Sequence, residues 1–286
     1  MASIVSSYGN PGARVAASYT WATKPAAVSV PTYTEIWVTD IAQTPVKMFS
    51  DGTTWQADTP IELSTISRTA ILHSFLAANA SIYSQTGTLV TVTSAAHLLH
   101  NGLDGADIYL HPATGAAAEG TYSNFTYINA NSFSCTSTVS QTTSGTLTSK
   151  ASINQILPSY NVTLRGGLMG AFGQIEEIAV LEAAGSGAKN YYGFGFDTTF
   201  GTCNTQISGA SKATRVISNI SNRGVENKQL IIVNVSSGLG FGAAAPIYYT
   251  RDTSADMLLE TVASVSSANE WLAVHSRCLA LHRSSV

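Results

Sequence analysis

Apolar and polar positions alternate with a period of two through most of this chain. Glu35-Ile36-Trp37-Val38-Thr39-Asp40-Ile41 puts every second residue on one apolar face, and Pro45-Val46-Lys47-Met48-Phe49-Ser50 reads as another strand. Asp51-Gly52 supplies a tight hairpin turn, and Trp55 gives the strand that follows an aromatic anchor. These segments predict a small β-meander. Ahead of them, Gly9-Asn10-Pro11-Gly12 and Lys24-Pro25-Ala26-Ala27 carry turn residues without periodicity, so residues 1–30 read as an extended arm.

The period changes after residue 60. Ile61, Leu63, Ile66, Ala70, Ile71, Phe75, Leu76 and Ile82 fall near helical spacing, with Ser64 or Thr65 placed to cap a first turn. A short helical linker is expected over 63–85, packing into a core or against identical helices around a symmetry axis. From Thr86 to Lys150 alternation returns in Thr88–Thr93, Ala106–Leu110, Gly120–Ile128 and Ser132–Thr136, separated by Gly and Asn turns, which predicts a small β-module. Residues 151–286 hold six further strand-like runs, from Tyr160–Leu164 to Glu270–Leu279, with no long amphipathic helix between them. That pattern disfavours a parallel α/β sheet and predicts an antiparallel, jelly-roll-like β-sandwich. The expected fold is thus all-β in four parts: arm and meander (1–62), helical linker (63–85), β-module (86–150) and C-terminal sandwich (151–286).

Composition narrows the function. Only 11% of the 286 residues are charged, against about 25% in an ordinary globular chain, and 14 Lys+Arg against 17 Asp+Glu leave a net charge of −3. That balance argues against a nucleic-acid binder that neutralises phosphates, and no apolar run is long enough for a membrane-spanning helix. Three cysteines are too few and too scattered for a disulfide framework or a zinc cluster. The start, Met1-Ala-Ser-Ile-Val-Ser-Ser-Tyr8, lacks the charged and apolar regions of a signal peptide, so synthesis inside the cell is expected. No Asp, Glu, Lys or Arg occurs between Arg68 and Asp104 or between Glu119 and Lys150. Such a surface suits burial in an assembly or contact with sugars.

Catalytic motifs are missing: the chain holds no Gly-x-Ser-x-Gly, His-Glu-x-x-His or Gly-x-x-x-x-Gly-Lys-Ser/Thr. The Gly-rich run Gly166–Gly173 reads as tight turns and close contacts rather than a phosphate cradle. His97, His100 and His111, with Asp104 and Asp107 between them, are the one group with metal-ligand residue types; they bind a metal only if the chain folds them together, and otherwise serve as loop residues. Glu176 and Glu177 are adjacent on a strand and face opposite ways, so they are not a glycosidase pair, and nothing singles out two of Asp197, Asp252, Asp256 and Glu260. No enzyme activity, cofactor or metal is expected. Aromatics give a binding signal instead. Even spacing places Tyr192, Phe194 and Phe196 in the core and turns Tyr191 outward beside Asn190; with Tyr248 and Tyr249 these form the candidate glycan-contact set, Asn190, Tyr191, Tyr248 and Tyr249.

Ile36-Trp37-Val38-Thr39-Asp40 followed by Phe49-Ser50-Asp51-Gly52-Thr53-Thr54-Trp55 resembles a β-meander of virion proteins of tailed bacteriophages. Val90–His97, Gly105–Leu110, Gly120-Thr121-Tyr122 and Ala130–Phe133 look like a small module inserted in phage structural proteins. Leu164–Ile175, with Ser221-Asn222-Arg223-Gly224, is similar to a C-terminal sandwich of phage fibre-like proteins. The resemblance covers most of the chain beyond residue 33. It implies a virion component, a homotrimer touching other virion proteins, and it carries over no catalytic residue. A chain of this length has no room for a repetitive shaft, so the expectation is a short fibre or spike that is anchored by its N-terminal part and presents its C-terminal sandwich to a host-surface glycan. A capsid decoration protein and a polysaccharide-depolymerising tailspike are the alternatives.

Overall fold

Strands follow the period of two closely, and the computed structural model is all-β. It describes residues 17–57, 59–75, 81–151, 155–157, 160–196, 204–207, 212–236 and 247–283. Strands β1 (Ser18–Tyr19), β2 (Glu35–Val38), β3 (Val46–Ser50) and β4 (Trp55–Gln56) make a four-stranded sheet in that order, which is the expected meander with one added edge. Its Asp-Gly turn is fastened by Asp51, whose Oδ1 accepts from the amides of Thr53 (2.8 Å) and Thr54 (2.6 Å). Those donors, the Thr54 amide foremost, hold the Asp51 carboxyl well below the usual carboxylate range. Ile36, Val38, Met48 and Trp55 are buried in a core shared with the C-terminal sandwich.

The expected arm is seen only from residue 17, since residues 1–16 lie outside the described residues. From Ala17 onward the chain is packed, not free. Ala27 and Val30 are buried, Trp21 donates through Nε1 to the Gly166 carbonyl (2.8 Å), and Trp55 Nε1 donates to the Pro25 carbonyl (2.8 Å). A few apolar anchors were enough to dock a segment that lacks periodicity.

The helical linker is also corrected. Residues 63–85 hold β5 (Ile61–Ile66), β6 (Ala70–Ser74) and the start of β7 (Ser81–Ser94). In β6 and the residue after it, Ile71, Leu72, His73, Ser74 and Phe75 are all buried, because β6 lies inside a sheet covered on both faces. A strand buried on both faces loses its alternation, and its short apolar run then imitates helical spacing.

The expected module follows as β7, β8 (Asp107–Leu110), β9 (Gly120–Asn129) and β10 (Ser132–Thr146). Its core packs Phe125, tilted, and Phe75, stacked, on Phe133 at ring distances of 5.1 and 6.2 Å. The C-terminal part contributes β11 (Gln155–Ile156), β12 (Val162–Leu164), β13 (Gln174–Ala184), β14 (Lys189–Phe196), β15 (Asn204–Ile207), β16 (Lys212–Asn222), β17 (Gln229–Ser236), β18 (Ile247–Tyr249), β19 (Met257–Val265) and β20 (Glu270–His282). One sheet runs β18-β17-β16-β13-β20-β6-β8-β9-β10-β7, with β5 also on β20; a second runs β11-β19-β14-β15, with β12 also on β19. The two form an antiparallel sandwich. The module is thus hydrogen-bonded into the sandwich sheet through β6 and β8, which pair in parallel.

A buried charge network ties the sandwich layers. Arg277 on β20 donates through Nε to Glu177 Oε1 on β13 (2.6 Å), through Nη2 to the Gly193 carbonyl on β14 (2.5 Å) and through Nη1 to the Tyr160 carbonyl. Tyr191 on β14 donates to the same Glu177 oxygen (2.8 Å). Both charges are fully buried, and Gly193 is required here: a Cβ would stand 1.6 Å from Glu177 Oε2.

Candidate functional site

The four residues of the expected glycan set do not come together. Tyr191 is buried, so its expected outward orientation is wrong: its ring faces inward, where Glu177 accepts from its hydroxyl. Burial and the Glu177 charge push that hydroxyl pKa well above the ordinary tyrosine value. Asn190 is half-buried and donates to Ser264 Oγ (3.2 Å) on the neighbouring strand. Tyr249 lies on β18 in register with Gln229. Tyr248, 62% exposed, presents its ring to solvent.

The histidines are likewise separated by their partners. His97 donates from Nε2 to the Asn129 carbonyl (2.9 Å) and accepts from the Leu99 amide (3.1 Å), which fixes a neutral ring among the module aromatics. His111 lies against Glu119, with Nδ1 to Oε1 at 3.1 Å. His100 instead reaches across to β13: its Nε2 meets Glu182 Oε1 at 3.0 Å, while His275 on β20 holds Glu182 Oε2 at 2.8 Å. That bridge joins module to sandwich. Among the described residues no group of three His, Cys, Asp or Glu has metal-holding geometry. The carboxylates of interest are also engaged: Asp256 accepts from Arg165 (2.8 Å) and the Gly166 amide (2.7 Å), Asp252 from Ser254, and Glu177 from Arg277. Asp197 lies outside the described residues.

Around Tyr248 the structure builds a surface that sequence reasoning assembled only in part. Loops 165–173, 223–228 and 250–256 meet at one end of the sandwich. Beneath them lies a buried polar frame. Asn222 Nδ2 donates to the Gly170 carbonyl (2.6 Å) and Thr253 Oγ1 (2.8 Å), and its Oδ1 accepts from Gln229 Nε2 (2.9 Å). Gln229 also pairs with both backbone groups of Arg251, accepting its amide at 2.8 Å and donating to its carbonyl at 2.9 Å. Thr253 Oγ1 donates to the Glu226 carbonyl (2.8 Å). Each loop is therefore fixed to the other two through side chains that are themselves buried, which is the condition for a pre-organised surface.

On that frame the Arg223 guanidinium lies over the Tyr248 ring, 4.9 Å from its centroid. Gly224 follows at a positive φ of 76°, a conformation that favours glycine, and the Phe172 ring lies alongside it at ordinary contact distance. Phe172 (48% exposed) and Val225 (43%) complete an exposed apolar patch with a cation in it. Among the described residues Arg223 makes no ion pair. Flat rings beside an available five-donor guanidinium can stack on the C–H face of a sugar and hydrogen-bond its hydroxyls. Sequence reasoning does not single out Phe172, Arg223 and Val225 as site residues, because they lie in two loops far apart in sequence; the one signal is that Phe172 and Arg223 fall in the paired motifs Leu164–Ile175 and Ser221–Gly224.

No family model matches this chain, and no curated protein does. Among solved structures, a lectin from Bauhinia forficata in complex with GalNAc is 8% identical, with 43% of this chain and 77% of that chain covered at a TM-score of 0.25. Arcelin-5, a lectin-like defense protein from Phaseolus vulgaris, is 4% identical, with 77% and 99% covered at a TM-score of 0.27. Likeness at this level carries no argument for the site, which stands on its own geometry.

Proposed function

We propose that this chain is a non-enzymatic structural component of a tailed-phage particle, a short fibre or spike whose sandwich end binds a host-surface glycan. The observation that carries the binding half is the Tyr248–Arg223–Phe172 surface on its buried Asn222–Gln229–Thr253 frame. The virion half rests on the order of the phage-like sequence motifs and on the scarcity of charge, which suits a subunit that assembles as a homotrimer and contacts other particle proteins. The four-stranded N-terminal sheet, with Trp37 and Tyr33 exposed on it, is the part assigned to attachment, together with residues 1–16.

Two measurements test the two halves separately. Gold-labelled antibody on purified particles should mark the tail or collar; label spread over the head supports decoration instead, and unlabelled particles end the virion reading. On a glycan array, the protein should bind a saccharide that Tyr248→Ala and Arg223→Ala variants with unchanged circular dichroism do not. Equal binding by those variants removes the glycan site whatever the label shows.

A further inference from the structure

The long strand β7 lies at one end of the large sheet. It pairs with β10, and among the described residues no strand pairs with its other edge. Proteins normally protect such edges with lysine, proline, brevity or a bulge. Strand β7 spans 14 residues and contains no charge and no proline. Its one irregularity is Gly87, at φ 63°, where the pairing with β10 shifts register between Thr136 and Gln141. Beyond it the segment Leu89–Thr93 runs regularly, with Val90 and Val92 buried and Leu89 (55% exposed), Thr91 and Thr93 on the outer face. Beside them on that face stand Thr136, Ser134 and Ser132 of β10.

We propose that this edge pairs with the same edge of a second copy, antiparallel about a two-fold axis at Thr91. A two-fold pairing sets each residue near the axis opposite itself, so any charge there would meet its own like. Strands β7, β9 and β10 contain no Asp, Glu, Lys or Arg at all, so the edge and the face behind it are compatible with themselves. Pairing about Thr91 places Thr91 against Thr91, and Leu89 against Thr93 of the second copy, which covers the exposed leucine. It also satisfies the outward amides and carbonyls and continues the sheet from one copy into the next. In a trimer, this contact joins neighbouring trimers side by side.

Cysteine cross-linking of the full chain tests the register. Residues directly opposite in an antiparallel pair have Cβ atoms about 4.5–5.5 Å apart, close enough for a small approach of the two strands to reach the ~3.5–4.5 Å of a disulfide. Under mild oxidation Thr91→Cys alone should give a covalent dimer on a non-reducing gel, above the level of the parent with its native cysteines. Leu89→Cys alone and Thr93→Cys alone should not, but their mixture should. A Thr91→Lys variant, folded by circular dichroism, should shift to a smaller species in light scattering. Absence of the Thr91→Cys dimer, absence of a mixed dimer, or an unchanged mass for Thr91→Lys overturns the proposal.

Discussion

Replacing Arg277 by Met removes the cation from the centre of the sandwich and leaves Glu177 with one donor, the Tyr191 hydroxyl. Glu177 is fully buried and its Oε2 has no hydrogen-bond partner even in the intact network. Breaking a buried pair from one side costs about 3–5 kcal/mol, because the remaining charge is uncompensated. Against a total stability of about 5–15 kcal/mol, that is about a fifth or more of what holds the fold. Urea unfolding at pH 7 should show the midpoint falling at nearly constant slope, with a Tm lower by on the order of 10 °C. The control is Glu177→Leu combined with Arg277→Met. Removing both charges should recover part of the loss, although the carbonyls of Tyr160 and Gly193 lose the Arg277 donor, the former keeping only Thr261 Oγ1 at 3.3 Å. A cost below about 1 kcal/mol for Arg277→Met, or a double variant whose cost equals the sum of the two single ones, refutes the argument.

Other expectations follow from the same geometry. Burial holds His73 neutral, with its pKa pushed down to about 3 while Nε2 donates to the His97 carbonyl. Below pH 6.5 the unfolded chain therefore takes up a proton that the fold refuses, and stability falls towards pH 3 by about 1.4 kcal/mol per pH unit for that proton; His97 and His111, lowered by burial, act in the same direction. His73→Phe should flatten the acid limb of a stability–pH curve by one proton, and an unchanged slope contradicts this assignment. Gly193→Ala should destabilise by about 1–3 kcal/mol, since its Cβ would collide with Glu177; wild-type stability in urea would show that the two strands separate freely there. Trp21→Ala removes the hydrogen bond to Gly166 and the stacking of Lys24 Nζ, 3.8 Å from the ring centroid. It should cost about 2–3 kcal/mol and speed amide exchange in loop 166–170, and unchanged exchange would separate the two segments.

Much of the architecture was legible because a strand with one wet face writes its period into the chain. β2, β3, β9 and the Asp51-Gly52 turn were all read directly from alternation and turn chemistry. β6 was not, since it is covered on both faces and its buried run Ile71–Phe75 has no period to read. Tyr191 shows a different limit. Strand existence was right but the side that Tyr191 faces was wrong, because a buried carboxylate on the preceding strand β13 decided it, and alternation alone does not show which side of a strand has such a partner. The surface around Tyr248 was half legible: its exposed tyrosine was named, while Phe172 and Arg223 joined it only through a frame of amide hydrogen bonds between three loops.

The position of β20 has a consequence for synthesis. It is the partner of β13 on one side and of β5 and β6 on the other, so the middle of the large sheet is completed only when β20, far along the chain from β5 and β6, has been made. At 5–20 residues per second, β5 and β6 wait on the order of 10–40 s for that partner. During that interval the edge of β6, a strand without Asp, Glu, Lys or Arg, stands open on the nascent chain. The ribosome and the chaperones around it must therefore do for the incomplete protein what surface charge does for most others.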